Sequence, residues 1–149
     1  MSALVIKQPQ TDEELNNYYQ LRWHLLSKPW GQPISVSQDD KEQTSYHLTA
    51  IYNNELVGIS RLHFNSKSEA QIRYMGVKET HQKKGIGREL VESLEQYAKE
   101  KECKTVILNA RENAILFYKK LGYSYLADAH TIFGLIKHEK MIKTLTSKS

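Results

Sequence analysis

Residues 74–90, YMGVKETHQKKGIGREL, constrain this chain more than any other stretch. An apolar strand runs into a basic loop, and two glycines then open an amphipathic helix. The first N–H groups of a helix have no intrahelical partner and sit at the positive end of its dipole, so such a junction binds anions. Gly85 and Gly87 lack Cβ atoms and let phosphates approach the backbone, while Lys83, Lys84 and Arg88 gather positive charge around the same point. The spacing narrows the ligand. A P-loop requires Lys-Ser or Lys-Thr after its second glycine, where this chain has Arg88-Glu89, and a dinucleotide fingerprint requires a third small residue where it has Leu90.

Residues 1–149 read as a single domain, long enough to bury a core without disulfides or metal. Cys103, the one cysteine, has no disulfide partner and opens an apolar strand, which suits a packed thiol in a reducing cytoplasm. No stretch approaches the roughly 20 apolar residues of a membrane span, and the opening MSALVIKQPQ lacks the features of a signal peptide. A net charge of +4 comes from scattered basic residues, with a local excess in the tail KHEKMIKTLTSKS. Binding of nucleic acid through that tail would be salt-sensitive, yet no aromatic RNA-binding motif or arginine-rich run accompanies it. The six histidines show no metal-ligand spacing, so no metal site is expected.

Periodicity orders the elements. Residues 4–7 read as a first strand, and Thr11-Asp12-Glu13-Glu14 as the capped start of a helix reaching Lys28-Pro29. A loop bracketed by Pro29 and Pro33 follows, then a short polar helix over 38–44. Strands over 47–52 and 55–64, separated by Asn53-Asn54, form a hairpin, and 70–77 adds a third antiparallel strand. A helix from Ile86 to about Lys101, a buried strand over 105–108, a helix over 112–121 stopped at Gly122, and closing strands over 123–127 and 138–145 complete the chain.

Set after a strand, Gln82-Lys83-Lys84-Gly85-Ile86-Gly87 matches the Q/R-x-x-G-x-G/A signature of the GNAT superfamily of N-acetyltransferases, which this chain resembles. The segment Ala114-Ile115-Leu116-Phe117-Tyr118-Lys119-Lys120-Leu121-Gly122-Tyr123 follows the family's A-x-x-x-Y-x-x-x-G-F/Y pattern, and the element order agrees over nearly the whole length. The resemblance implies an α/β (α+β mixed) GNAT fold, a central, mostly antiparallel twisted sheet of about six to seven strands flanked by helices. It implies transfer of an acetyl group from acetyl-CoA to a primary amine by direct ternary-complex transfer. A non-catalytic acyl-CoA-binding regulatory module is the alternative.

The same resemblance distributes roles. Gln82, Lys83, Lys84, Gly85, Ile86, Gly87 and Arg88 would hold the pyrophosphate, and Met75, Gly76 and Val77 the pantetheine arm, with one strand N–H polarising the thioester carbonyl. Tyr118 would protonate the departing sulfur, as a phenol still protonated at neutral pH can. Two positions depart from the pattern. Arg111 stands where the family often has Asn, leaving Asn109 or Asn113 to contact pantetheine, and Gln71 stands where some members carry a Glu base. His63 is the first candidate base, ahead of Glu69 and His138. The acceptor, a small-molecule or peptide amine, would be lined by Arg22, Trp23, Trp30 and residues 128–138, and an exposed edge strand near the C-terminus suits a homodimer.

Overall fold

Local chemistry fixes how the chain starts. The computed structural model describes residues 3–145, so the last four residues of the basic tail lie outside it. Thr11 caps α1 (Asp12–Leu26): its Oγ1 accepts from the Glu14 N–H at 3.0 Å, and Glu14 Oε1 accepts from the N–H groups of Gln10 (2.8 Å) and Thr11 (3.5 Å). A cap of this kind contributes about 1 kcal/mol. Lys7, ending β1 (Leu4–Lys7), pairs with the same Glu14 at 3.1 Å.

β2 (Tyr46–Tyr52) and β3 (Glu55–Phe64) flank Asn53 and Asn54, which sit at φ of 50° and 68°. A two-residue hairpin turn demands two positive φ values, and asparagine tolerates them. β4 (Glu69–Val77) leads through the basic loop into α2 (Ile86–Glu100), which crosses to β5 (Thr105–Arg111). A 3-10 turn at Glu112–Ala114 precedes α3 (Ile115–Lys120), and β6 (Ser124–Asp128) and β7 (His138–Thr144) follow. The strands form one seven-stranded sheet in the order β1-β2-β3-β4-β5-β7-β6. β1–β2, β2–β3, β5–β7 and β6–β7 pair antiparallel, and β4–β5 pairs parallel. This is the mixed α/β architecture expected from the sequence.

Two elements differ from expectation. Residues 38–44 form no α-helix; 3-10 turns occupy Ile34–Ser37 and Glu42–Thr44, because the side chains of Asp39 and Glu42 are drawn inward to arginines. β5 runs on to Arg111, since β7 pairs with it as far as Arg111↔His138.

Contacts gather the chain into two units, one of residues up to His63 with Tyr74–Leu94, the other of Phe64–Arg73 with Glu95 onward. In the first, Tyr18 and Leu21 of α1 pack on Ile59 of β3, bordered by Leu15, Leu25, Leu26 and Leu56. Each such buried side chain contributes roughly 1.5–3 kcal/mol. Gly58 is a packing requirement, since a Cβ there would stand 3.0 Å from Leu90 Cδ1 and 3.1 Å from Ala50 Cβ. In the second unit, Glu95 is buried on α2, accepting from Tyr123 Oη at 2.8 Å and pairing with Lys143 Nζ at 3.0 Å. α3 ends in paired bonds from Tyr123 N–H to Tyr118 C=O and from Gly122 N–H to Lys119 C=O, with Gly122 at φ 99°. That is the Schellman stop for which Gly122 was expected. Among the described residues no helix is long and apolar enough to cross a membrane.

Candidate functional site

The basic loop and its glycines lie in the first unit, at the start of α2. Lys83 (φ 64°) and Gly85 (φ 82°) turn the backbone into the N-terminus of α2, and Ile86, almost fully buried, anchors that end. Around the position of a Gly85 Cβ there is no atom within 4 Å, so the space above the turn is open to a ligand. Gly87 follows inside the first turn of α2. Lys83, Lys84 and Arg88 are exposed; Lys84 Nζ lies 5.5 Å from the Tyr52 ring centroid, and Arg88 pairs with Glu92 at 3.1 Å. Gln82 works differently from its neighbours. Its Nε2 donates to the Val77 carbonyl at 3.1 Å, latching the loop to the end of β4.

β4 itself carries an irregularity. Asn65 N–H bonds Glu69 C=O at one end, and Lys78 N–H bonds Val57 C=O at the other, so β4 holds one residue more than β3 between those points. The extra residue coincides with Tyr74, whose φ is 59°. A bulky side chain in that half of conformational space costs on the order of 1 kcal/mol, and a bulge re-aims the backbone that follows, here Met75, Gly76 and Val77. The parallel register with β5 ends earlier, at Ile72↔Leu108. On the other side Gly76 is crowded, a Cβ there standing 3.2 Å from Leu25 Cδ1.

The sequence reading missed a buried charge cluster in the same unit. Arg22 and Arg61 are fully buried. Arg61 grips Asp39 through both terminal nitrogens (2.6 and 3.0 Å) and Glu42 at 2.7 Å; Arg22 reaches Glu42 at 2.9 Å, the Ser37 carbonyl at 2.8 Å and Tyr18 Oη at 2.8 Å. Two cations meet two carboxylates, so the cluster is neutral. Arg22 therefore cannot line an acceptor pocket, because its guanidinium is consumed in the interior. Trp23 donates its indole N–H to the Gln32 carbonyl at 2.7 Å, and Trp30 remains exposed. The signal was present in VGISRLHF, where an arginine inside an apolar strand calls for an acidic partner.

His63 belongs to this cluster. Its Nδ1 lies 3.0 Å from Arg61 Nη2, and a guanidinium only donates, so Nδ1 is the acceptor and the ring proton is on Nε2. Neither nitrogen is then open to take a proton from a substrate, which speaks against His63 as the base. His47 has the same tautomer: Nε2 lies 2.7 Å from the Glu42 carbonyl, and Nδ1 lies 2.7 Å from Tyr18 Oη.

Burial, with the Arg22 and Arg61 charges nearby, holds His47 below the ordinary histidine value of about 6.5. The native state thus binds fewer protons than the unfolded chain. Stability is complete above about pH 6.5 and declines as pH falls below it. Thermal melts at pH 8 and pH 5.5 are expected to show this loss, and a His47→Gln variant to show a smaller one. Equal losses in both proteins would remove His47 as the linked group.

The second unit holds the remaining candidates. Tyr118 on α3 is buried between the rings of Phe117 (5.0 Å) and Tyr123 (5.7 Å). Its hydroxyl has no hydrogen-bond partner among the described residues, and burial raises its pKa far above the usual phenol value. The phenol is therefore protonated at neutral pH and a weaker acid than an ordinary tyrosine. Asn109 is exposed on β5 between buried Leu108 and Ala110, and Asn113 is exposed in the following 3-10 turn. Gln71 and Glu69 share the Asn65 amide, each accepting at 3.0 Å. His138 Nδ1 lies 2.9 Å from the Ile136 carbonyl and so carries the ring proton, which leaves the lone pair on Nε2. Burial keeps its pKa low, aided by the Arg111 charge across the strand pair.

Comparison with known proteins places the sequence and the fold. The sequence profile described as the acetyltransferase (GNAT) family matches residues 15–123. The chain is 27% identical over 143 residues to the uncharacterized N-acetyltransferase YjcF of Bacillus subtilis, covering 96% of this chain and 99% of that one. It is 26% identical to a second such protein of that organism, YitI, over 85% and 89% of the two chains. A crystal structure of an aminoglycoside 6'-N-acetyltransferase complexed with coenzyme A superposes with a TM-score of 0.79 at 18% identity, covering 97% and 99%. At that identity the match speaks for the fold.

Proposed function

This chain belongs to the acetyltransferase (GNAT) family and is an acetyl-CoA-dependent N-acetyltransferase, and we propose that it acetylates a primary amine by direct transfer in a ternary complex. The observation that carries the site assignment is the turn at Lys83 and Gly85, open above and ringed by three cations, at the N-terminus of α2. N–H groups and positive charge of this kind fit the pyrophosphate of acetyl-CoA. Met75, Gly76 and Val77, following the bulge, would pair with pantetheine, with Asn109 and Asn113 as further contacts.

Acetyl-CoA supplies an activated acyl carbon that the acceptor nitrogen attacks. A β4 N–H steadies the negative charge that gathers on the carbonyl oxygen, a contribution of roughly 3 kcal/mol where water is excluded. Tyr118 gives its proton to the sulfur as the carbon–sulfur bond breaks, and solvent restores it. The proton lost by the amine goes to His138 Nε2, whose lone pair is free where that of His63 is committed. The acceptor is a small-molecule or peptide amine. The matched segment takes in residues of both units, which supports reading them as one catalytic domain. A buried single thiol, Cys103, fits a reducing cytoplasm, and the β6 edge, with exposed Tyr125 and Leu126, supports a homodimer.

Calorimetric titration with acetyl-CoA, against ATP and NAD, tests the cofactor site: micromolar binding selective for acetyl-CoA is expected, and folded protein with no such preference overturns the assignment. His138 is tested by the pH profile of CoA release. Because its pKa is lowered, the acid limb of the profile is expected below about pH 6.5. His138→Asn is expected to lower kcat about a hundredfold and erase that limb. A retained limb would return the role to water or to an amine arriving neutral.

A further inference from the structure

Two guanidinium groups lie against the ring of Tyr74, with Arg22 Cζ 4.1 Å and Arg61 Cζ 5.0 Å from its centroid. Both cations are held at their terminal nitrogens, while each buried Nε has no hydrogen-bond partner among the described residues. Arg22 is fixed by Ser37, Glu42 and Tyr18, and Arg61 by Asp39, Glu42 and His63. Guanidinium planes favour aromatic faces, and the preference strengthens away from water, as at these buried positions. Tyr74 is also the residue with positive φ at the β4 bulge, directly before Met75 and Gly76. A conformation disfavoured for a side-chain-bearing residue persists only where its surroundings over-determine it. The two arginines are part of those surroundings.

We propose that Arg22 and Arg61 are positioning residues that lock Tyr74 in the bulge and thereby aim the β4 N–H that polarises the thioester carbonyl. Asp39 and Glu42, from the segment joining α1 to β2, set the lock by holding both arginines. The inference rests on the acetyl-transfer reading of β4 and adds to it the residues that hold its geometry. It also explains why residues 38–44 form turns instead of a helix: the carboxylates must reach inward.

Isotope-edited infrared spectroscopy tests the lock without any acceptor, using acetyl-CoA labelled with carbon-13 at the thioester carbonyl. In the wild-type complex the carbonyl band is expected below its position in water, because a directed N–H weakens the C=O bond. Tyr74→Phe keeps the ring and is expected to keep the band. Tyr74→Gly accepts the positive φ but removes the ring; it is expected to bind acetyl-CoA with near wild-type affinity while the band returns toward its position in water. With any accepted amine its kcat should fall about a hundredfold at nearly unchanged KM for acetyl-CoA. Asp39→Asn, which loosens the grip on both terminal nitrogens of Arg61, is expected to give a partial return of the band. A glycine variant that keeps the wild-type band overturns the lock alone. Wild-type protein that binds acetyl-CoA with an unshifted band overturns the carbonyl-polarising reading, and the lock with it.

Discussion

Tyr118→Phe is expected to lower kcat by roughly 10²–10⁴ while leaving the affinity for acetyl-CoA unchanged. The size follows from losing a positioned general acid. A thiol of pKa about 8.5 is mostly protonated at neutral pH, so the departing sulfur ends up carrying a proton, and the proposed donor is the phenol, with solvent returning its proton. Selectivity for rate over stability follows from the structure. The hydroxyl has no partner among the described residues, so its removal strands no donor or acceptor. The ring contacts with Phe117 and Tyr123 persist in phenylalanine. Melting temperature is therefore expected within a degree or two of wild type, on the order of 0.5 kcal/mol or less. Calorimetry, single-turnover CoA release and thermal melts check the three parts. The experiment also separates an enzyme from a regulatory acyl-CoA-binding module. A module would bind acetyl-CoA equally in both proteins and release CoA in neither.

What the sequence disclosed and what it hid divide along a physical line. Elements written in local chemistry were legible: the Thr11–Glu14 box, the Asn53-Asn54 turn, the glycine-opened helix and the Gly122 stop each depend on residues a few positions apart. The turn at Lys83 and Gly85 was legible for the same reason, since a helix start is set by neighbouring residues. The Arg22–Glu42–Arg61–Asp39 cluster was not, because its members are far apart in the chain and meet only after folding. Without those partners, 38–44 reads as a polar helix and Arg22 as a substrate contact. The two histidines could not be told apart in the sequence either. His63 and His138 are equivalent as letters, and they differ in whether an arginine or a carbonyl faces Nδ1.

Glu42→Gln is expected to be the most damaging single change outside the apolar core, costing about 3–5 kcal/mol and lowering the melting temperature by roughly 10 °C. Glu42 Oε2 accepts from Arg22, from Arg61 and from the Asp39 N–H, and Oε1 accepts from Tyr19 Oη at 3.3 Å. Neutralising it leaves two fully buried guanidinium groups facing one carboxylate, in a place water cannot repair. The exposed pair Lys78–Glu55 has a similar length, 3.0 Å, yet Glu55→Gln is expected to leave the melting temperature near wild type, because solvent screens both partners. Distance is shared; burial decides. Equal shifts for the two variants would show that the interior cluster is screened as the surface is, and that its arginines are weakly held. A paired substitution extends the argument: Arg61→Met with Asp39→Leu removes a cation and an anion together and keeps the remaining charges balanced. It is expected to cost less than Arg61→Met alone, since the single variant leaves the cluster with one cation fewer against the same carboxylates.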